Sequence, residues 1–297
     1  MSNNARSDQE KANQNDPVSQ VSDNSQETKI PTPLRLEEIR AGISECDDVI
    51  IHALARRMRY VQDVISYKKA TGMPIFQPAQ ERRQMKVLED KIKTNGYEEF
   101  EEELLDVFKY IIRNSRRIQS RSIFDYNIFL IGFMGAGKTT IAKALSQKLE
   151  MNSVEMDQLI VEKQKMSVSE IFDEYGEQYY RNLESNCLIE LRNRSQTVVS
   201  CGGGIVLRDE NREIMRDNGR VVLLTARPDT ILERVKDSDE RPILNNNMNV
   251  EFISGLMEKR RARYQAAADI TIETDDKTIT QICDEIISSL IFFDLRQ

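Results

Sequence analysis

Apolar residues between positions 34 and 120 return at steps of three and four. Leu36, Ile39, Ile43, Cys46, Ile50, Ala53, Leu54, Met58, Val61 and Ile65 predict one amphipathic helix running to about Ala70. Gly72, Pro74 and Pro78 then break the pattern. Met85, Leu88 and Ile92 mark a second helix that stops near the helix-ending pair Asn95-Gly96. Phe100, Leu104, Phe108, Ile111, Ile112, Ser115 and Ile118 mark a third. At 1.5 Å per residue the first helix is on the order of 50 Å long, more than two shorter helices can cover. Its apolar stripe therefore predicts pairing with a second copy of the chain. The arginine-rich stretch from Arg116 to Ser122 reads as a linker that continues the third helix into the next domain.

After residue 122 the period changes. YNIFLIGF, TVVSCGGG, RVVLLTA and ADITIET are short apolar runs with strand character, and TTIAKALSQKLE reads as a helix. Strands alternating with helices predict a parallel sheet covered on both faces, an α/β domain preceded by an all-α three-helix domain. The first 33 residues are built from Ser, Asn, Gln, Asp and Glu and cannot bury enough apolar surface to offset their ordering entropy. The expected organisation is a disordered tail over 1–33, a helical domain over 34–121 and an α/β domain over 122–297.

Length and charge sharpen this. A chain of 297 residues suits two ordinary domains. A formal net charge of −7 argues against wholesale nucleic-acid or anionic-membrane binding, so an anionic ligand must be met by placed Arg and Lys side chains. No apolar run approaches the roughly 18 residues of a membrane span, and the N-terminus lacks a signal-peptide stretch, so a cytoplasmic location is expected. Cys46, Cys187, Cys201 and Cys283 are scattered, with no C-x-x-C pair and only His52 as a histidine, which excludes a metal finger and predicts buried free thiols.

Gly132-Phe133-Met134-Gly135-Ala136-Gly137-Lys138-Thr139 fits G-x-x-x-x-G-K-[ST] between a predicted strand and a predicted helix. In that setting, successive backbone N–H groups around Gly135, Ala136 and Gly137 cradle a β-phosphate. Lys138 reaches the β/γ-phosphates, and Thr139, followed by Thr140, offers its hydroxyl to Mg²⁺. ATP and Mg²⁺ are the expected co-substrate and cofactor, and what receives the phosphate must be read elsewhere.

From Tyr126 to about Leu290 the chain resembles shikimate kinases. Glu155-Met156-Asp157 stands at the D-x-D of that family, Tyr180-Arg181-Asn182-Leu183-Glu184 resembles F-R-x-x-E, and Gly202-Gly203-Gly204 occupies the glycine triplet after a strand. Arg241-Pro242-Ile243-Leu244 resembles the R-P-L-L of a mobile lid, and Arg260 to Tyr264 the late R-x-x-x-Y. The resemblance implies phosphorylation of shikimate to shikimate 3-phosphate. It makes Asp157 the group that accepts or orients the hydroxyl proton. Arg181 and Arg260 pair with the substrate carboxylate, Glu184 holds Arg181, and Gly203 and Gly204 approach substrate hydroxyls through their backbone. Arg241 touches the phosphates from the lid and Arg234 packs on adenine. Glu155 replaces the first acid of the motif and is longer by a methylene, so its water-mediated place near Mg²⁺ is expected to shift.

Residues 34 to about 120 resemble the all-helical chorismate mutases, whose fold is an intertwined dimer. Arg40, Arg57, Lys68, Glu81, Ser115 and Gln119 fall where that family places substrate-binding residues. The resemblance implies that Arg40, from the partner chain, and Arg57 take the carboxylates of chorismate. Lys68 and Gln119 address the ether oxygen, and Glu81 the ring hydroxyl. Gln77 and Gln80 replace the acid and the arginine of the family's D-P-x-R-E. Three alternatives stay open: a catalytically silent dimerising or regulatory helical domain, pyruvate elimination from isochorismate, and a different polyol acceptor for the kinase, as in gluconate kinases.

Overall fold

The computed structural model describes residues 33–71, 73, 77–236 and 249–296. Two compact units, Met1–Ala53 and Leu54–Gln297, are parted within the first helix. The expected tail before residue 33, most of the break between the first two helices, and the lid segment with Arg241 lie outside the described residues.

Helix α1 spans Pro33–Thr71, α2 Pro78–Thr94 and α3 Glu101–Ile123. Pro78 stands at the start of α2, where its missing N–H costs nothing, and Gly96 takes φ 75° just beyond the C-cap Asn95. Three glutamates open α3 and Arg121 closes it, each charge opposite to the helix dipole beside it. Phe100, expected inside the third helix, instead ends a 3₁₀ turn over Glu98–Phe100. The expected linker is helical to Ile123, and the fully buried Phe124 anchors the passage into the sheet.

The α/β part alternates strands β1 Asn127–Gly132, β2 Asn152–Glu155, β3 Thr197–Ser200, β4 Gly219–Thr225 and β5 Ile270–Glu273 with helices α4 Lys138–Leu149, α5 Met156–Gln164, α6 Val168–Leu191, α7 Asp209–Asn218, α8 Pro228–Val235, α9 Val250–Ala267 and α10 Ile279–Asp294. All four pairings are parallel, in the order β2-β3-β1-β4-β5. β1 is buried throughout, as expected of a central strand. Its alternate residues serve opposite faces: Ile128 and Leu130 pack with Leu145, Ile286 and Leu290, whereas Phe129 and Ile131 pack with Met156, Leu188 and Val221. β2, absent from the sequence reading, is a polar edge strand with no apolar run to betray it.

The order in which strands are added reverses beside β1, because β3 lies on one side and β4 on the other. Ligands of open parallel sheets bind outside the carboxyl ends of the strands at such a point. The phosphate-loop sequence leaves β1 there. Cys187, Cys201 and Cys283 are buried free thiols as expected, whereas Cys46 is exposed on α1.

Candidate active sites

Three glycines at the end of β1 adopt positive φ: Gly132 at 144°, Gly135 at 78° and Gly137 at 94°. A Cβ at Gly132 would sit 2.3 Å from the Leu224 carbonyl oxygen, so the close approach of β4 also requires glycine. The loop delivers Lys138 and Thr139 to the first turn of α4. Lys138 Nζ is buried and donates to the carbonyls of Gly132 (3.0 Å) and Phe133 (3.1 Å), folding the side chain back across the loop mouth. A cleft of about 390 Å³ opens here, lined by Gly135 to Thr140, Glu155, Asp157, Gly203 and Arg234. Arg234 on α8 donates to the Gly135 carbonyl (3.3 Å) and to Thr274 Oγ1 (3.1 Å), which places its guanidinium on the cleft wall.

Oxygen atoms gather at the front of α4. Thr139 Oγ1 donates to Glu155 Oε2 at 2.9 Å and lies 3.3 Å from Ser200 Oγ. The longer Glu155 therefore reaches the threonine directly. Burial, and then the charge of Asp157, push its carboxyl above the ordinary range. Among the described residues no three His, Cys, Asp or Glu side chains form a metal cage.

The second wall comes from α6. Ser167 and Glu170 form a capping box at its start, and Gly176 (φ 81°, ψ 169°) kinks it. Past the kink, Tyr180, Arg181 and Glu184 turn inward and are buried. Arg181 Nη1 donates to Glu184 Oε2 at 2.7 Å and Nη2 to Glu177 Oε1 at 2.8 Å. Glu184 is 0% exposed, and its second oxygen has no hydrogen-bond partner. Burial raises its carboxyl to about 7 against the opposing pull of Arg181. Tyr180 donates its hydroxyl to Asp157 Oδ1 at 2.6 Å, and burial keeps that phenol neutral, far above its usual range. From α9, Arg260 and Tyr264 both reach the Gly203 carbonyl, at 3.5 and 2.5 Å.

The glycine triplet is shaped by these side chains. A Cβ at Gly204 would stand 2.2 Å from the Arg181 guanidinium carbon, and one at Gly202 would stand 2.3 Å from Glu184 Oε1 and 3.0 Å from Asp157 Oδ1. Asp157, Arg181, Glu184, Gly203, Gly204 and Arg260 thus converge beside the phosphate loop.

A second concavity, of about 300 Å³, is built by helices alone. Arg57, Val64 and Lys68 from α1, Gln80 and Glu81 from α2, and Ser115 and Gln119 from α3 line it. Arg57 donates to Ser115 Oγ, and Lys68 Nζ donates to Gln119 Oε1 at 3.0 Å. Burial lowers the Lys68 ammonium, with Glu81 opposing. Gln77 is also on the wall. Arg40 is exposed on the N-terminal part of α1.

Residues 134–291 match the shikimate kinase family model, and residues 39–120 match chorismate mutase type II. A shikimate kinase of Dehalococcoides mccartyi strain BAV1 is 43% identical over 164 residues, which is 55% of this chain and 93% of that protein. The chain belongs to the shikimate kinase family. The shikimate kinase of Sulfurihydrogenibium sp. is 41% identical over 55% of this chain and 97% of its own length. Among solved structures, shikimate kinase from Acinetobacter baumannii in complex with shikimate superposes with a TM-score of 0.57 at 30% identity, covering 59% of this chain and 99% of the other. The shikimate kinase of Aquifex aeolicus gives 0.51 at 34% identity, covering 58% and 99%.

Within the shikimate kinase fold several site residues escape a reading of the sequence. Ser200 is hidden at the end of an apolar strand, and Thr274 and Lys277 line the cleft from the segment after β5. The Tyr180 hydroxyl on Asp157 depends on the α6 kink. In the helical groove Arg116, expected in the linker, stands on the wall. Of these only Tyr180 lies in a contiguous motif, where it stands at the phenylalanine of F-R-x-x-E.

Proposed function

We propose that this chain is a bifunctional enzyme of aromatic biosynthesis. Its domain over 122–297 transfers the γ-phosphoryl group of ATP to shikimate, giving shikimate 3-phosphate, and its domain over 34–121 converts chorismate to prephenate. The observation that carries the first activity is the buried Arg181, pinned by Glu184 under the glycine triplet and opposite Asp157. A pre-oriented guanidinium with Arg260 nearby suits a carboxylate, and a neutral polyol has no use for it.

The P-loop amides and Lys138 hold the phosphates. Asp157, fixed through Oδ1 by Tyr180, accepts the proton of the attacking hydroxyl as its oxygen bonds to phosphorus and ADP leaves. Arg234 borders the nucleotide, and Arg241 acts from the lid. Thr139, Ser200 and Glu155 would hold Mg²⁺, which would supply charge neutralisation at the phosphates. The hydroxyl and carboxylate oxygens of Thr139, Ser200 and Glu155 suit a hard cation that takes its remaining oxygens from phosphate and water. An acceptor screen tests the reading. ADP release should depend on shikimate and on neither gluconate, a carboxylate without the ring, nor a neutral polyol such as glycerol, and equal turnover of shikimate and either of these would defeat it.

The second activity rests on the groove. Chorismate rearrangement is unimolecular, so the site needs only to hold a compact dianion and stabilise charge developing on the ether oxygen. Lys68 and Gln119 are joined and suited to that oxygen, Arg57 to a carboxylate, and Glu81 to the ring hydroxyl. Gln77 and Gln80 offer amide donors in place of charge. Leu36, Ile39, Ile43, Ile50 and Ile51 are exposed along α1, which supports a homodimer bringing Arg40 of a second copy to the groove. Light scattering at micromolar concentration should give twice the chain mass, and a strictly monomeric mass would remove Arg40 from the site. Among the described residues no helix is long and apolar enough to cross a membrane. The enzyme class favours work in the cytoplasm, and the net charge of −7 argues against nucleic acid or an anionic membrane as partner.

A further inference from the structure

One guanidinium in the helical groove answers to two carboxylates, one of which belongs to the kinase fold. Arg116 Nη2 donates to Glu81 Oε2 at 3.0 Å, and Nη1 lies 3.5 Å from Glu150 Oε1. Glu150 is the C-cap of α4, the helix that begins with Lys138 and Thr139. It sits in the left-handed region at φ 53°, where a glycine is the ordinary choice. Its other oxygen accepts from Arg113 Nε at 2.7 Å, one helical turn before Arg116 on α3. Exposure separates the two arginines. The side chain of Arg113 is 65% exposed, whereas those of Arg116 and Glu150 are 19% and 12% exposed, so water screens the inner pair far less.

We propose that Arg116 is a positioning residue for the mutase site and that Glu150 holds it in place, so that the kinase fold completes the chorismate groove. This rests on the mutase reading. Glu81 is the acid assigned to the substrate's ring hydroxyl, and a glutamate on an open wall has three side-chain torsions to fix. Arg116 Nη2 fixes one oxygen of the carboxylate from one side, leaving the other for the hydroxyl. A guanidinium with a single anionic partner would swing toward the carboxylates of an arriving dianion and release Glu81. A second anion behind it, on a rigid helix cap, opposes that swing. Lys68 also feels Glu81, so the charges around the groove are set as a group.

The test is a double-mutant cycle in the full-length chain, with chorismate conversion and shikimate-dependent ADP release measured on the same samples. Arg116→Ala should lower kcat/KM for chorismate about thirtyfold and Glu150→Ala about fivefold to tenfold, mostly in kcat. The double variant should be no worse than Arg116→Ala alone, because Glu150 acts only through Arg116. Arg113→Ala should stay within about twofold, and ADP release within about twofold throughout. Glu150→Gln, which keeps the volume and removes the charge, should reproduce Glu150→Ala and serves if the alanine variant folds poorly. Additive losses, or full mutase activity in both Glu150 variants, would overturn the proposal while leaving the mutase reading intact. No conversion by the unaltered chain would remove that reading and this inference together.

Discussion

The two pockets of this chain are built in opposite ways. The kinase cleft is made from backbone as much as from side chains. Glycines at positive φ shape its loop, a carbonyl of that loop receives Arg234, and two further glycines leave room for Arg181 and Glu184. The three inner strands beneath it are buried almost throughout, whereas the edge strands β2 and β5 are mostly half-buried or exposed. The helical groove has none of this support. Its backbone groups are consumed within α1, α2 and α3, so all of its chemistry is in side chains, and the buried apolar residues behind it are few: Val61, Ile65, Ile92 and Ile112. The difference matches the reactions proposed for each. Phosphoryl transfer needs many fixed donors around moving charge, and backbone amides fix donors best. A unimolecular rearrangement needs a shaped cationic wall, which a few side chains supply.

The contrast can be broken at its strongest points first. Asp157→Asn should reduce shikimate-dependent turnover by about 10³-fold with ATP affinity retained, and near-normal turnover would take Asp157 out of the mechanism. Gly204→Ala places a carbon against the Arg181 guanidinium. It should raise KM for shikimate by about tenfold or more and leave ATP affinity little changed, measured by initial rates and nucleotide titration. Gly255, in α9, has nothing within 4 Å of an added Cβ. Gly255→Ala should therefore be silent in activity and stabilise the protein by roughly 0.5–1 kcal/mol in urea unfolding. A tight kinase site and a tolerant helix surface would then differ by the fate of the same substitution.

A subtler effect lies in pH. The carboxyl of Glu184 is raised to about 7 by burial, above the 4.5 it has when unburied. The folded chain therefore holds this proton more tightly than the unfolded chain does. The resulting stabilisation is fully present below pH 4.5 and is lost as pH rises through about 7. Glu184→Gln should flatten that fall in melting temperature between pH 4.5 and 7. An unchanged slope would mean that Arg181 keeps Glu184 charged throughout.

The two regions are unequally legible in the sequence, for the same physical reason that separates their pockets. The P-loop is legible because its glycines, Lys138 and Thr139 are neighbours in the chain, and Asp157, Arg181 and Arg260 stand in short motifs. The three helices are legible from periodicity. β2 is not, since an edge strand covered on little of its surface needs no apolar run. Arg116 reads as linker because its partners, Glu81 and Glu150, lie 35 residues before it and 34 after it, and no local pattern joins them. The role of Gly202 and Gly204 as space for Arg181 and Glu184 likewise appears only once α6 is folded against the triplet.

The central claim is that one chain carries two separate catalytic sites. The most direct measurement tracks chorismate loss, with prephenate identified as product, beside shikimate-dependent ADP release on the unaltered chain, Asp157→Asn and Lys68→Ala. Two sites predict both reactions in the unaltered chain, loss of ADP release alone in Asp157→Asn, and loss of chorismate conversion alone in Lys68→Ala. An unaltered chain that releases ADP but leaves chorismate untouched would contradict the claim and make the helical domain a dimeriser or sensor.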